Sequence, residues 1–348
     1  MRPRLLDLLC CPACGSGLQA EAFEEKTGRI INGLLSCVCG QWFPIINSIP
    51  RLLLHNLRAQ LVERHPEFYK DHASRLPEEV SLHNRDVIGT KVKTQVSFGY
   101  EWTIFSDYAV DNFSEFIRPL EGGFFEKKLG LDVGCGAGRH VKHATSLRAE
   151  VIGMDLSHAV DSAGRLNQDN PLAHFVQGDV VDLPFRRGAF DFIYSLGVLH
   201  HLPDPERGFR SLIPALKKEA PIFIWVYQRT KRKEWLEYAR RMTTRMPLPV
   251  IKELAWSATV IDYGIVVNLY RLLQRAALVA RWTPLRIKEY AKYDFAASYA
   301  DWFDRLSAPT SHFYSQAELR AWFERAGLKN IETALVEDSW VWGKGKRP

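Results

Sequence analysis

Three acids and a set of glycines are the residues in this chain whose types and spacing point most directly to chemistry. The stretch Leu129-Gly130-Leu131-Asp132-Val133-Gly134-Cys135-Gly136-Ala137-Gly138-Arg139-His140 reads D-x-G-x-G-x-G, an apolar run ending in a glycine turn that opens a helix. Such a turn lets a ligand approach the backbone closely, because its residues carry no side chain to block the way. A dinucleotide fingerprint would read G-x-G-x-x-G. Asp132 also argues against a pyrophosphate, which it would repel, and for the ammonium and sulfonium charges of S-adenosylmethionine, which it would attract. Asp155, 17 residues after Gly138 at the end of Val151-Ile152-Gly153-Met154-Asp155, suits a ribose diol, since charge-assisted hydrogen bonds to a carboxylate are the strong kind. Asp179, in Gln177-Gly178-Asp179-Val180 after a third short apolar run, suits the exocyclic amine of adenine, helped by the Val180 backbone. Singly, Asp155 reads equally as a helix cap and Asp179 as a turn residue; together with the glycine loop they read as one nucleoside site.

Methyl transfer from a sulfonium is an in-line displacement, so such an enzyme mainly aligns its reactants and excludes water. A hydroxyl or amine acceptor also profits from a base. His200 and His201, after the fourth apolar run, are the candidates, with Tyr227 at the end of the fifth as another. The competing reading makes the Leu199-His200-His201-Leu202 run structural.

A second constellation lies at the N-terminus. Cys11-Pro12-Ala13-Cys14 and Cys37-Val38-Cys39-Gly40 supply four thiols in two close pairs separated by a span of hairpin size. Four thiolates close a tetrahedral Zn²⁺ site of the structural type. Cys37-x-Cys39 departs from the commoner two-residue spacer, with Ser36 where a ligand would otherwise stand, while Cys10 is a spare thiol beside the ligands. Five of the six cysteines fall in the first 39 residues, which favours a local metal site over a disulfide framework.

These groups need elements to position them. The 348 residues, 46% hydrophobic and 25% charged, suit a soluble globular chain of two domains and not a disordered one. Asp7 and the cysteines interrupt the apolar N-terminus, which argues against a signal peptide or a membrane span and for a cytoplasmic protein. Residues 1–55 form the cysteine module, 56–120 a helical linker and lid, and 121–348 the main domain. In that domain the runs Leu129–Val133, Val151–Met154, Phe190–Ser195 and Ile222–Tyr227 alternate with helix-compatible stretches, the pattern of βαβ units around a parallel sheet. A helical insertion fills about 228–307. Ser315 and Glu318 form a capping box for a helix to Ala326, with Gly327 as its stop, and Ile331–Val336 with Ser339–Trp342 make a closing hairpin. The net charge is +6. Arg229 to Lys252 holds eight Lys/Arg and two Glu, either a solvated helix face or a surface for phosphate, anionic lipid or RNA.

Taken in order, LDVGCGAGRH, VIGMDLS, QGDVVDLPF and FDFIYSLGVLHHLPDP closely resemble the class I S-adenosylmethionine-dependent methyltransferases, nearest to their ubiquinone/menaquinone methyltransferase-like branch. The resemblance is strong over residues 95–230 and loose beyond. It implies an α/β, doubly wound, Rossmann-like seven-stranded mostly parallel sheet. It also implies that Asp132, Gly134, Cys135, Gly136 and Gly138 surround the methionine portion, Asp155 and Leu156 the ribose, and Asp179 and Val180 the adenine, while Ser195 and Leu196 line the cleft. Leu216-Lys217-Lys218-Glu219-Ala220-Pro221 departs from the family's K-P-G-G turn, so the entry to the fifth strand must differ. The aromatic segment Val96 to Trp102 resembles one that precedes the glycine loop in some of these enzymes and suggests a cover over the cofactor. CPAC, CVCG, FPI and IPRLL resemble the small zinc-ribbon-like domain that activates tRNA and protein methyltransferases, and the cysteine-rich start of certain ribosomal RNA guanine methyltransferases.

The expected activity is methyl transfer to a small-molecule acceptor that is aromatic, lipid-like or glycosylated. The nearest rival is an RNA (rRNA or tRNA) methyltransferase that uses the module and the basic run; the more distant one is a non-catalytic S-adenosylmethionine-binding scaffold. Contact with a membrane surface stays open, and the sequence leaves oligomeric state undetermined.

Overall fold

The computed structural model describes residues 1–77, 86–105, 113–117, 120, 122–230, 240–275, 281–336 and 340–348. Its centre is a run of strands whose residues are buried on both faces: β5 (Leu129–Val133), β6 (Glu150–Asp155), β7 (Ala173–Gly178), β8 (Phe192–Leu196) and β9 (Pro221–Tyr227). They are parallel and lie in the order β7-β6-β5-β8-β9. Strands covered on both sides read as continuous apolar runs, which is why periodicity exposed them in the sequence. β11 (Trp340–Lys346) joins β9 antiparallel and β10 (Lys329–Val336) closes that edge. Ser339, expected to begin the last strand, lies outside the described residues.

The sheet does not stop at seven strands. The cysteine module contributes β1 (Leu18–Lys26), β2 (Arg29–Cys37), β3 (Trp42–Ile46) and β4 (Ile49–Leu52), and β4 pairs in parallel with β7 through Arg51–Gln177 and Leu52–Gly178, giving one sheet of 11 strands. An edge strand leaves a row of unpaired N–H and C=O groups, and here β4 covers the edge of β7. The apolar cores merge as well: Met1, Leu9 and Phe43 pack in the same cluster as Leu131, Ile152 and Val176.

Arg51 fastens this junction. Its fully buried guanidinium donates to the Gln177 side chain (3.1 Å) and the Ile46 carbonyl (3.4 Å) and pairs with Asp161 at 2.5 Å. Burial alone would raise the Asp161 pKa; Arg51 outweighs it and holds the carboxyl below the usual range. At the other end of the module, Arg2 donates to the carbonyls of Asn170, Pro171 and Ala173.

Helices cover both faces. Arg139–Ser146 and Ala159–Leu166 bury Val141, Ala144, Val160 and Ala163 on one side, and Pro205–Leu212 and Gln316–Arg325 bury Phe209, Leu212, Leu319 and Phe323 on the other. The Ser315–Glu318 capping box forms, and Gly327 ends that helix at φ 70°. Glu219 takes φ 59° in the entry turn to β9 and donates its N–H to the Arg347 carbonyl, so a non-glycine residue fills a left-handed position at the departure from the family turn.

The region before the glycine loop carries the helix Asp86–Ile104, and the insertion carries Leu248–Thr259, a π-helical stretch Val260–Val267, Asn268–Leu273, Leu285–Tyr290 and Phe295–Ser307. Phe105, Ile251, Ala255, Ala300, Phe303 and Leu306 bind these helices into a third core, and Ser97 Oγ donates to the Ser307 carbonyl at 3.0 Å. Residues 231–239 of the basic run lie outside the described residues. No described helix is long and apolar enough to cross a membrane.

Candidate cofactor and acceptor cleft

The carboxyl ends of the parallel strands open into one cleft, the position at which open α/β sheets take ligands. At its floor the chain leaves β5 through Gly134 at φ 78°, whose N–H donates to the Met154 carbonyl at 2.7 Å. A Cβ there would lie 2.3 Å from Val198, so the turn needs glycine for both its conformation and its space. Asp155, at the end of β6, accepts the Gly136 N–H (2.9 Å) on one oxygen and the Ser157 N–H (2.8 Å) and hydroxyl (2.7 Å) on the other. It therefore sets the shape of the glycine loop as well as presenting a carboxylate. Burial raises its pKa against these bonds.

One face of the helix Asp86–Ile104 forms the opposite wall. Lys91, Thr94, Gln95, Phe98, Glu101 and Trp102 recur at helical spacing and all face the cleft, with the Trp102 indole lying over Gly136. Gln95 fixes the helix by donating to the Leu57 (3.3 Å) and Leu156 (3.1 Å) carbonyls. Lys91 forms an ion pair with Asp179, whose other oxygen accepts the Val181 N–H at 3.0 Å. Sequence reasoning missed this partner, because a lysine in a charged helix carries no signal of what it will face.

Of the residues singled out from the sequence, Gly134, Asp155, Leu156, Asp179, Val180, Leu196, His201 and Tyr227 line the cleft together. Asp132 does not: it is buried beneath the floor, and burial pushes its carboxyl up to about 8, so the negative charge assigned to it is largely absent at neutral pH. Gly136 and Gly138 shape the loop from behind, Gly138 accepting from the Asn167 side chain at 3.2 Å. Cys135 is buried in the core against Gly153, and Ser195 Oγ donates to the Val133 carbonyl at 3.0 Å. His200 is fully buried, its ring 3.8 Å from that of Tyr227.

The far end of the cleft is built by groups from five distant segments. Tyr227, on β9, donates its hydroxyl to Asp304 at 2.5 Å. His201 holds its Nδ1 against the Thr310 carbonyl (2.8 Å) and the Ser311 hydroxyl (3.0 Å). A carbonyl only accepts, so Nδ1 carries the proton and Nε2 is the bare nitrogen. Nε2 faces Asp304 Oδ1 at 3.9 Å. Burial lowers the His201 pKa to about 4, with Asp304 opposing, so the ring is neutral at pH 7. Asp304 Oδ1 and one Glu101 oxygen are buried without a hydrogen-bond partner among the described residues. Burial, then repulsion by Asp304, Asp301 and Asp155, raises the Glu101 pKa well above the carboxylate range. Asp301 pairs with Arg305 at 2.6 Å. Phe98, Trp225 and Trp340 supply aromatic walls. Asp301 and Asp304 were not legible as site residues: they belong to an insertion helix whose position no local pattern gives. Glu101 stood inside the aromatic segment already noted and was passed over.

The four thiols of the module converge. Their sulfurs all lie within 4.8 Å of one another, with Cys11–Cys39 at 3.7 Å and Cys14–Cys37 at 3.5 Å. A tetrahedron with Zn–S bonds of about 2.3 Å has edges of about 3.8 Å, so the donor set fits zinc. Cys37-x-Cys39 works because Gly40, at φ 84°, donates back to the Cys37 carbonyl at 3.0 Å and folds both thiols to one side. Cys10 is buried and outside the set.

Residues 131–224 match the family model of the methyltransferase domain, and residues 2–48 match that of Trm112p-like proteins. Among relatives, a probable tRNA methyltransferase 9B of Mus musculus is 27% identical over 162 residues, 45% of this chain and 33% of that protein. A ubiquinone biosynthesis O-methyltransferase of Yersinia enterocolitica is 27% identical over 140 residues, 38% of this chain and 57% of that one. The chain thus spans between about a third and just over half of these relatives. A solved Burkholderia thailandensis 1,6-didemethyltoxoflavin-N1-methyltransferase, with 1,6-didemethyltoxoflavin and S-adenosylhomocysteine bound, aligns at a TM-score of 0.47 and 13% identity, over 78% of this chain and 93% of its own. Residues 131–224 thus carry a methyltransferase domain, and it is joined to a Trm112p-like N-terminal segment.

Proposed function

We propose that this chain transfers a methyl group from S-adenosylmethionine to a hydroxyl or amine of a small-molecule acceptor. The observation that carries the reading is a single cleft with two chemistries. Its strand-built end presents Asp155, Asp179 and the glycine loop; its helix-built end presents a neutral His201 and Asp304 across a 3.9 Å gap. The glycine loop, opened where a Cβ would clash, and the two acids suit a nucleoside bearing cationic groups, which supplies an activated methyl when bound. The gap between Nε2 and Oδ1 suits a group that donates hydrogens, since both atoms accept. His201 Nε2 takes the acceptor's proton, Asp304 with Tyr227 orients the donor group, and the helix Asp86–Ile104 with its aromatic face excludes water. The module, residues 1–55, holds zinc through Cys11, Cys14, Cys37 and Cys39 and buttresses β7 beneath the adenine end.

Charge favours a small molecule over a polynucleotide in the cleft. Asp155, Asp179, Asp301 and Asp304 line it against Lys91 and Arg139, an excess of acids that repels a phosphate backbone. The RNA reading draws on the relative named as a probable tRNA methyltransferase, the Trm112p-like segment and the basic run.

Calorimetric titration of S-adenosylmethionine and S-adenosylhomocysteine into the wild type and Asp155→Ala, with NAD as control ligand, tests the cofactor. We expect binding in the wild type, about 100-fold weaker in the variant, where a charge-assisted pair of bonds is lost, and none with NAD. Failure of the wild type to bind either cofactor form would overturn the reading. Salt separates the acceptors, because RNA binding falls steeply as salt rises.

A further inference from the structure

The insertion helix is apolar on two sides, and among the described residues only one of them has a protein partner. From Leu248 to Leu273 the chain runs helically without a break, through the α-helix to Thr259, the π-helical stretch to Val267 and the α-helix beyond. Ile251, Ala255, Thr259, Tyr263 and Val267 form the buried side, facing the helix Phe295–Ser307 and its neighbours. Steps of four residues overshoot one turn of an α-helix, at about 3.6 residues per turn, and fall short of one π turn with its i→i+5 bonds. Alternating the two cancels the drift and keeps the series on one side.

The other side repeats the step of four in two runs, Met246 to Leu254 and Ile261 to Leu269. Met246, Val250, Leu254, Ile261, Ile265 and Leu269 are all exposed, Ile261 and Ile265 at 60% each, and Leu272 continues the row at 77%. An exposed apolar stripe of this length marks an interaction surface. The charges nearby have one dominant sign. Arg241, Arg245, Arg275 and Arg281 are exposed at the two ends of the stripe, whereas Glu253 is the exposed acid along it among the described residues. Asp262 turns away from the stripe to accept the Trp302 indole N–H at 2.8 Å. Trp256, on the same helix, is 48% exposed.

We propose that the helix Leu248–Leu273 is a membrane-surface element, which lies in the plane of an anionic bilayer with this stripe in the acyl boundary and the flanking arginines on lipid headgroups. The combination of an apolar face, basic flanks and an exposed aromatic residue is the chemistry of interfacial helices. It explains why the outer side carries large aliphatic residues where a solvated helix would carry polar ones. The proposal does not depend on the acceptor or on the cofactor.

Flotation of the full chain with vesicles tests it. The wild type is expected to float with equimolar phosphatidylcholine and phosphatidylglycerol, and at least about 10-fold less with phosphatidylcholine alone. Ile261→Glu/Ile265→Glu/Leu269→Glu should abolish flotation while circular dichroism and the melting temperature stay at wild-type values, these positions being solvent-facing. Arg241→Glu/Arg245→Glu should weaken binding to the anionic vesicles only. A wild type that stays at the bottom of the gradient with both compositions overturns the proposal. So does a wild type that is dimeric by light scattering, is made monomeric by the triple variant and ignores vesicles, because the stripe then belongs to a second copy of the chain.

Discussion

The two ends of the cleft are made in different ways. The cofactor end consists of strand termini and the turns that follow them, where Gly134, Asp155 and Asp179 are fixed by β5, β6 and β7 and cross-linked through backbone N–H groups. The acceptor end consists of side chains from β9, from the 3₁₀ turn at Leu199–His201 and from helices at Asp86–Ile104 and Phe295–Ser307, meeting only through tertiary packing. The first is over-determined by ladders shared with neighbouring strands; the second depends on a few hydrogen bonds between pieces that are far apart in the chain. Change at one end should therefore damage binding and stability, and change at the other should damage turnover.

The largest effect expected at the strand-built end is on stability. Arg51→Ala leaves Asp161 and Gln177 facing an emptied, buried space, and breaking a buried pair in this way costs about 3–5 kcal/mol; chemical denaturation measures it. A loss below about 1 kcal/mol would mean that the module docks on its apolar contacts alone. The pH dependence follows from the depressed Asp161 carboxyl. Its stabilisation is present above the unfolded value of about 3.9 and is lost as pH falls through the lower folded value, so the wild type should lose stability below pH 4 in a way the variant does not.

At the helix-built end Asp304→Asn should lower kcat about 100-fold, the scale for loss of a group that positions a reactant, with cofactor affinity by calorimetry unchanged. Equal loss of affinity would merge the two ends and refute the contrast drawn above. His201→Gln should cost about 100-fold in kcat. Because burial holds this imidazole at about 4, the wild-type acid limb should fall there and be absent near the ordinary histidine value of about 6.5; an inflection near 6.5 that the variant abolishes would place a solvated histidine in the mechanism instead.

The smallest effect belongs to Lys91. Its ion pair with Asp179 competes for the carboxylate assigned to the adenine amine, so Lys91→Met should tighten S-adenosylmethionine binding by less than about 10-fold, within the reach of a single modest ion pair. Weaker binding would instead make Lys91 a ligand contact.

The cofactor end was legible because its residues are consecutive or lie at the ends of short apolar strands. The loop around Gly134 and the pairs Cys11-Cys14 and Cys37-Cys39 each stand out as a local pattern, and the acids Asp155 and Asp179 take their reading from being set beside that loop. Even there, direction was hidden: a β-strand alternates its side chains, and that alternation sends Asp132 under the floor while its neighbour Val133 lines the cleft. His200 and His201 differ in the same way, one enclosed against Tyr227 and the other turned to Asp304.

The sequence by itself determined the local devices of this protein: the glycine turn, the acids at strand ends, the four-thiol set, the capping box at Ser315 and the alternation of strands and helices. Each is a matter of backbone conformation or of ligands a few residues apart, and short-range sterics and hydrogen bonding suffice for it. Only the tertiary structure decided that β4 would extend the sheet to 11 strands, that Arg51 would be sealed at that seam, and that Glu101, His201, Tyr227 and Asp304 would share one wall. These relations join segments as much as 210 residues apart, for example Ser97 with Ser307. They are fixed by burial of complementary surfaces, a property of the packed whole that no local stretch of sequence encodes.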